Sequence, residues 1–185
     1  MARVYGIKKR LAEQNIDPKL AKEIIGNGDL VEITARMETL LDPQITIEIL
    51  DACACGTGRR ELAGIRGIDA ETLKDKIDRI AHLGDFHSQW NVRLNQDNTV
   101  SAGWAIGEKD HYACVCSAVV HNAVKVRDLT EQGRTMPLTY CFCCAGHCRR
   151  HLERLLNIQL KHKEVISSPI HSKGEKPCEF MFEIV

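Results

Sequence analysis

Two closely spaced cysteine pairs are the residues of this chain best suited to chemistry. Cys114 and Cys116 flank a valine, and Cys141 and Cys143 flank a phenylalanine. Both pairs lie in segments with the pattern of a β-strand, where a Cys-x-Cys spacing places both thiols on one face. Paired strands lie ~4.8 Å apart, and a zinc–sulfur bond is ~2.3 Å long. Two such pairs on adjacent strands predict a four-thiolate metal site for zinc, with iron or an iron–sulfur cluster as the alternative.

A third Cys-x-Cys pair, Cys53 and Cys55, lies where a predicted helix runs into a glycine-containing turn. Glycine lets the backbone of such a turn approach a ligand closely. These two cysteines are therefore alternative metal ligands that could replace one of the strand pairs. The other interpretation is a buried turn in which both thiols only pack.

A separate cysteine and histidine pattern points to catalysis. Cys144, His147, Cys148 and His151 recur at helical spacing, which places them on one face of a predicted helix. A thiolate near a helix N-terminus is stabilised by the unpaired amides, and a histidine one turn further on can act as its base. Cys144 or Cys148 with His147 is thus the candidate nucleophile of a hydrolase or a thiol redox enzyme. The alternative is that this face is core packing.

The elements that must position these residues change in character near residue 84. Residues 1–84 have apolar residues at helical spacing, and Asp17-Pro18 and Asp42-Pro43 are helix-start signals. We therefore expect a helical subdomain over this part of the chain.

Residues 85–185 change to a period of two and predict an α+β cysteine-rich domain. The predicted elements are strands at 90–94, 100–104, 112–120, 138–143, 164–168 and 178–184 and a helix at 146–160. Cys178 lies on the apolar face of the last strand and is expected to be a core residue. The fold class is α+β, with the helical part followed by an antiparallel sheet and one long C-terminal helix, packed as one compact unit.

Composition excludes several classes of protein. The 185 residues carry 25 basic and 25 acidic side chains, and this balance argues against a nucleic-acid or membrane partner recruited by charge. The apolar runs are far shorter than the ~20 residues of a membrane-spanning helix. The first residues are charged and do not resemble a signal peptide, so we expect a cytoplasmic protein whose nine cysteines stay reduced. A second copy of the chain is an expected partner if the phenylalanine-rich last strand lies at a sheet edge.

The C-terminal part also resembles an uncharacterised prokaryotic Cys-x-Cys family. The motifs that carry the resemblance are Cys114-Val-Cys116, Cys141-Phe-Cys143-Cys-Ala-Gly146, Glu153, Ser167-Ser168-Pro169 and the segment 174–182. The closing helix, strand, turn and strand are distantly similar to the four-vinyl reductase domain and to the 2-amino-thiazoline-4-carboxylic acid hydrolase group. This resemblance implies an α+β domain that encloses a small-molecule ligand. The sequence as a whole predicts a metal-binding protein with a small-molecule pocket and a sensor or binding role, and leaves a cysteine enzyme as the alternative.

Overall fold

The N-terminal part of the chain is helical, as its capping signals predict. The computed structural model describes residues 2–53, 64–83, 89–108, 111–116, 129 and 131–185. The helices of this part are α1 (Ala2–Glu13), α2 (Pro18–Ile25), α3 (Leu30–Leu40), α4 (Pro43–Ala52) and α5 (Leu73–Ile80). Asp17 precedes α2 and Asp42 precedes α4, and each carboxylate accepts hydrogen bonds from backbone N–H groups of the first turn. Gly26 follows α2 with a φ of 48°, a conformation that favours glycine.

The C-terminal part is built on an antiparallel sheet, which confirms the predicted fold class. The strands are β1 (Trp90–Leu94), β2 (Thr99–Trp104), β3 (Gly107–Glu108), β4 (His111–Tyr112), β5 (Leu160–Ser167) and β6 (Cys178–Ile184). Four of them form one sheet in the order β1-β2-β6-β5, and β3 pairs with β4 separately. Trp104 of β2 lies opposite Trp90 on one side and Cys178 on the other.

The last strand does not lie at a sheet edge. β6 is hydrogen-bonded to β2 on one side and to β5 on the other, so the edges of the four-stranded sheet are β1 and β5. Phe180 and Phe182 are fully buried in this central strand. The expectation that the phenylalanine-rich strand offers a free edge to a second copy of the chain is therefore wrong, because these rings fill the core of the same chain.

The prediction of a strand at 138–143 is also wrong. Residues Leu138–Cys141 form a 3-10 helix, and the α-helix α6 (Phe142–Leu156) follows at once. Every residue from 140 to 146 is buried. A short apolar run that is buried on all sides shows no regular alternation of apolar and polar residues. Its sequence pattern therefore cannot distinguish a strand from a helix. The predicted helix at 146–160 therefore begins four residues too late, and Asn157 ends it in a left-handed conformation before β5.

The strand predicted at 112–120 is confirmed only at its first residue. Tyr112 belongs to β4, and residues 113–116 follow without helix or strand structure. Residues 117–120 lie outside the described residues. The thiol of Cys116 is thus supplied by an irregular segment and not by a strand.

Helix α6 connects the two parts of the protein. It packs against α4 of the helical part and against β5 of the sheet. Buried residues of both parts belong to one hydrophobic cluster, which includes Met37 from α3, Leu50 from α4, Leu152 from α6 and Phe180 from β6. The short helix α7 (Pro169–Ser172) leads from β5 to β6. Among the described residues, none of the helices combines the length and apolar character that a membrane crossing needs.

Candidate metal centre

Three buried cysteines converge at the start of α6. The Sγ atoms of Cys116, Cys143 and Cys144 all lie within 4.8 Å of one another. In a tetrahedral zinc site with Zn–S bonds of ~2.3 Å, two sulfurs are about 3.8 Å apart. Small side-chain movements therefore suffice to bring these three thiols onto one metal ion. We call this group the thiol trio.

The position of Cys143 and Cys144 at the start of α6 bears on their charge. They are the second and third residues of α6. The 3-10 helix Leu138–Cys141 runs directly into α6, and the N–H of Phe142 donates to the carbonyls of Thr139 and Tyr140. The partial positive charge of the helix N-terminus therefore favours the thiolate, which is the form that binds a metal ion, while the burial of both side chains opposes it.

Tyr140 adds a hydroxyl to the same site. Its Oη lies 3.7 Å from Cys116 Sγ, and its side chain is 1% exposed. Burial and the neighbouring Cys116 and Cys143 thiols raise the pKa of Tyr140 well above its ordinary value. The hydroxyl therefore keeps its proton at neutral pH and can donate a hydrogen bond to a Cys116 thiolate.

The structure groups the predicted ligands differently from the sequence. It places Cys116 and Cys143 together and adds Cys144, which the sequence interpretation assigned to a nucleophile. Cys141 lies just before α6, where burial raises its pKa to about 12 although a hydrogen bond with Ser168 acts in the opposite direction. This thiol is protonated at neutral pH.

The remaining candidate ligands are less buried or lie outside the described residues. Cys114 is half-buried and contributes to the electrostatic environment of Cys141. Cys53 is also half-buried and ends α4, and Arg3 of α1 donates a hydrogen bond to its carbonyl. Cys55, the other alternative ligand, lies outside the described residues.

The structure describes the surroundings of two of the candidate catalytic residues, Cys148 and His147. Cys148 is fully buried, and burial raises its pKa well above the ordinary value of a thiol, so it is protonated at neutral pH. The ring centroid of His147 lies 4.3 Å from that of His151 and 6.3 Å from those of Trp90 and Trp104. These contacts place the imidazole of His147 against the aromatic side chains of β1 and β2.

A charged network that the sequence does not predict joins α6 to α4 and β5. Asp51 of α4 is its centre: Oδ1 lies 2.7 Å from His162 Nε2, and Oδ2 lies 2.7 Å from an Nη of Arg150 and 3.1 Å from an Nη of Arg149. Burial opposes the charge of Asp51, but the hydrogen bonds from His162 and Arg149 and the charge of Arg150 lower its pKa well below the ordinary value. Arg149 also donates to Glu153 over 2.7 Å.

Comparison with known proteins identifies no relative of this chain. No family model, curated protein or solved structure matches the chain, and the resemblance to the four-vinyl reductase domain stays a prediction. The fold and the site together define an α+β protein with a buried three-cysteine group suited to a metal ion.

Proposed function

We propose that this protein binds one zinc ion through the thiolates of Cys116, Cys143 and Cys144. The observation that carries the proposal is the mutual approach of the three Sγ atoms to within 4.8 Å. Thiolate sulfur is a preferred ligand of zinc, and three convergent donors match the number of protein ligands in a catalytic zinc site. Iron bound by the same thiolates is the alternative.

Charge balance supports a metal ion at this position. Three thiolates and one Zn²⁺ carry a net charge of about −1, and a buried negative charge needs compensation. The N-terminus of α6 supplies part of it through Cys143 and Cys144, which lie in the first turn. The hydroxyl of Tyr140 supplies a hydrogen bond to Cys116. Cysteines that only pack in the core need neither a helix N-terminus nor a hydroxyl donor beside them.

The fourth ligand decides what the zinc does. A fourth thiolate, from Cys53, Cys55 or Cys114, completes a structural site whose metal binding is coupled to folding. A water molecule or a substrate in that position leaves the metal accessible for catalysis. The number of thiolates on the metal therefore separates a structural protein from a zinc enzyme.

The direct test is elemental analysis of protein purified without oxygen. We expect about one zinc per chain, and the Cys116→Ser and Cys144→Ser variants should lose most of it. Cys148→Ser is the matched control, because Cys148 is fully buried on α6 but is not part of the thiol trio. Zinc that is absent from the wild type, or retained in both trio variants, would overturn the proposal. Iron with visible charge-transfer bands would keep the site and replace the ion.

A further inference from the structure

A cavity of about 340 Å³ opens between α4, α6 and β5, on the side of α6 where Asp51 lies. Its volume is at the lower end of the range of small-molecule pockets, ~300–1,000 Å³. The floor is formed by half-buried or buried residues, namely Ile47, Asp51, Arg149, Leu160 and His162. The rim is formed by four exposed polar residues, namely Gln14, Gln44, Glu48 and Lys161.

The charges of the floor are matched within the protein. Asp51 accepts hydrogen bonds from Arg149 and Arg150 and pairs with His162. Arg149 is held a second time by Glu153, whose Oε1 also accepts the backbone N–H of Leu160 over 3.1 Å. This network links α4, α6 and β5 and so fixes the floor of the cavity. A rigid floor lowers the entropic cost of binding a ligand.

The rim carries two opposite charges, those of Glu48 and Lys161. In the part of the chain that the structure describes, the ion pairs involve neither Glu48 nor Lys161. Glu48 only accepts hydrogen bonds from the side-chain amides of Gln14 and Gln44, both over 3.1 Å. These two amides orient the Glu48 carboxylate at the mouth of the cavity, while Lys161 projects from β5 as a second rim residue.

We propose that this cavity binds a small zwitterion, whose ammonium group pairs with Glu48 and whose carboxylate pairs with Lys161. The two charges lie on different elements, α4 and β5, that both border the cavity and do not pair with each other. A ligand with one charge of each sign satisfies both, whereas a simple anion or cation leaves one unmatched. Ile47 and Leu160 offer apolar contact for the short carbon chain between the charged groups. The site is independent of the metal centre, so either proposal can fail alone.

Calorimetric titration with matched probes tests this assignment. L-Alanine, β-alanine and γ-aminobutyrate carry both charges at increasing separation. Propionate, butyrate, propylamine and butylamine carry one charge on similar chains. We expect at least one zwitterion to bind with a Kd of about 1 mM or tighter, and roughly tenfold more tightly than either single-charge analogue of the same length.

Two variants that each remove one rim charge test whether the zwitterion binds in this cavity. Glu48→Gln and Lys161→Gln should each raise the Kd of the tightest-binding zwitterion roughly tenfold. Lys163→Gln and Glu23→Gln are matched controls, because both residues are exposed and neither lines the cavity. Binding of a single-charge analogue as tightly as the zwitterion would overturn the proposal, as would no binding of any probe or full affinity in both rim variants.

Discussion

Gly146 of α6 lies directly against Asp51 of α4. A Cβ atom at position 146 would be 2.9 Å from Cγ and 3.0 Å from Cα of Asp51, closer than real Cβ contacts allow. The absence of a side chain at Gly146 therefore lets α6 approach α4 and brings Arg149 and Arg150 of α6 within reach of the Asp51 carboxylate. The same approach sets the position of the first turn of α6, which carries Cys143 and Cys144.

Gly146→Ala should destabilise the protein by about 2 kcal/mol, because the added methyl group forces α4 and α6 apart. Urea unfolding measures the free energy change. Gly64→Ala is the control, since a Cβ there meets nothing within 4 Å. Equal stability of the two variants would contradict the close contact between Gly146 and Asp51.

Asp51→Asn should lower the free energy of unfolding by about 3 kcal/mol at neutral pH, because Arg149 and Arg150 lose a buried partner. The folded-state pKa of Asp51 is lowered from 3.8, so its ionised form stabilises the fold above that pH and this stabilisation is lost on acidification. The difference between wild type and variant should therefore shrink as the pH falls below about 4.

Urea unfolding at several pH values checks this dependence. Asp78→Asn serves as control, because Asp78 is exposed and, among the described residues, forms its ion pair with Lys74 of its own helix. That variant should differ little from the wild type at any pH. A difference for Asp51→Asn that stays constant, or grows with acidity, would contradict the role assigned to the carboxylate.

Tyr140→Phe should leave one zinc per chain but weaken its binding by about tenfold, because the Cys116 thiolate loses a hydrogen bond from the Tyr140 hydroxyl. Competition with a chelator measures the affinity. Tyr5→Phe is the matched control, since Tyr5 is 71% exposed. Unchanged affinity in the Tyr140 variant would show that the hydroxyl does not act on the metal site.

Alkylation of the native protein tests the alternative of a cysteine enzyme. Cys148 should stay unmodified at neutral pH, because burial excludes the reagent and keeps the thiol protonated. Zinc bound to the thiol trio should protect Cys144 until a chelator is added. Mass spectrometry of peptides measures both. Rapid modification of either thiol in the zinc-loaded protein would favour the nucleophile proposed from the sequence.

The sequence predicts those features that depend on local patterns. Asp17 and Asp42 indicate where α2 and α4 begin, because capping is a contact between neighbours in the chain. The alternation of buried and exposed side chains in β1 predicts that strand, because one of its faces meets solvent. The segment around Cys141 and Cys143 lacks such a face, and its helix is missed for that reason.

The candidate site depends on contacts between distant parts of the chain, which a single sequence does not reveal. The spacing of the cysteines predicts that Cys116 and Cys143 share a site. The addition of Cys144 follows from the helical turn at 142–144, which a strand over the same residues does not allow. Asp51 and His162 are 111 residues apart, and no local pattern links them. The adjacent pair Arg149 and Arg150 was the one available signal, because buried arginines require an acidic partner.

The most direct test of the metal site is a titration of metal-free protein with Co²⁺ under anaerobic conditions. Tetrahedral cobalt gives visible bands, and each thiolate ligand adds charge-transfer absorption in the near ultraviolet. We expect saturation at about one Co²⁺ per chain, with charge-transfer intensity reduced in Cys144→Ser and unchanged in Cys141→Ser. Reduced intensity in Cys141→Ser with full intensity in Cys144→Ser, or no charge-transfer absorption in the wild type, would contradict the thiol trio as the metal site.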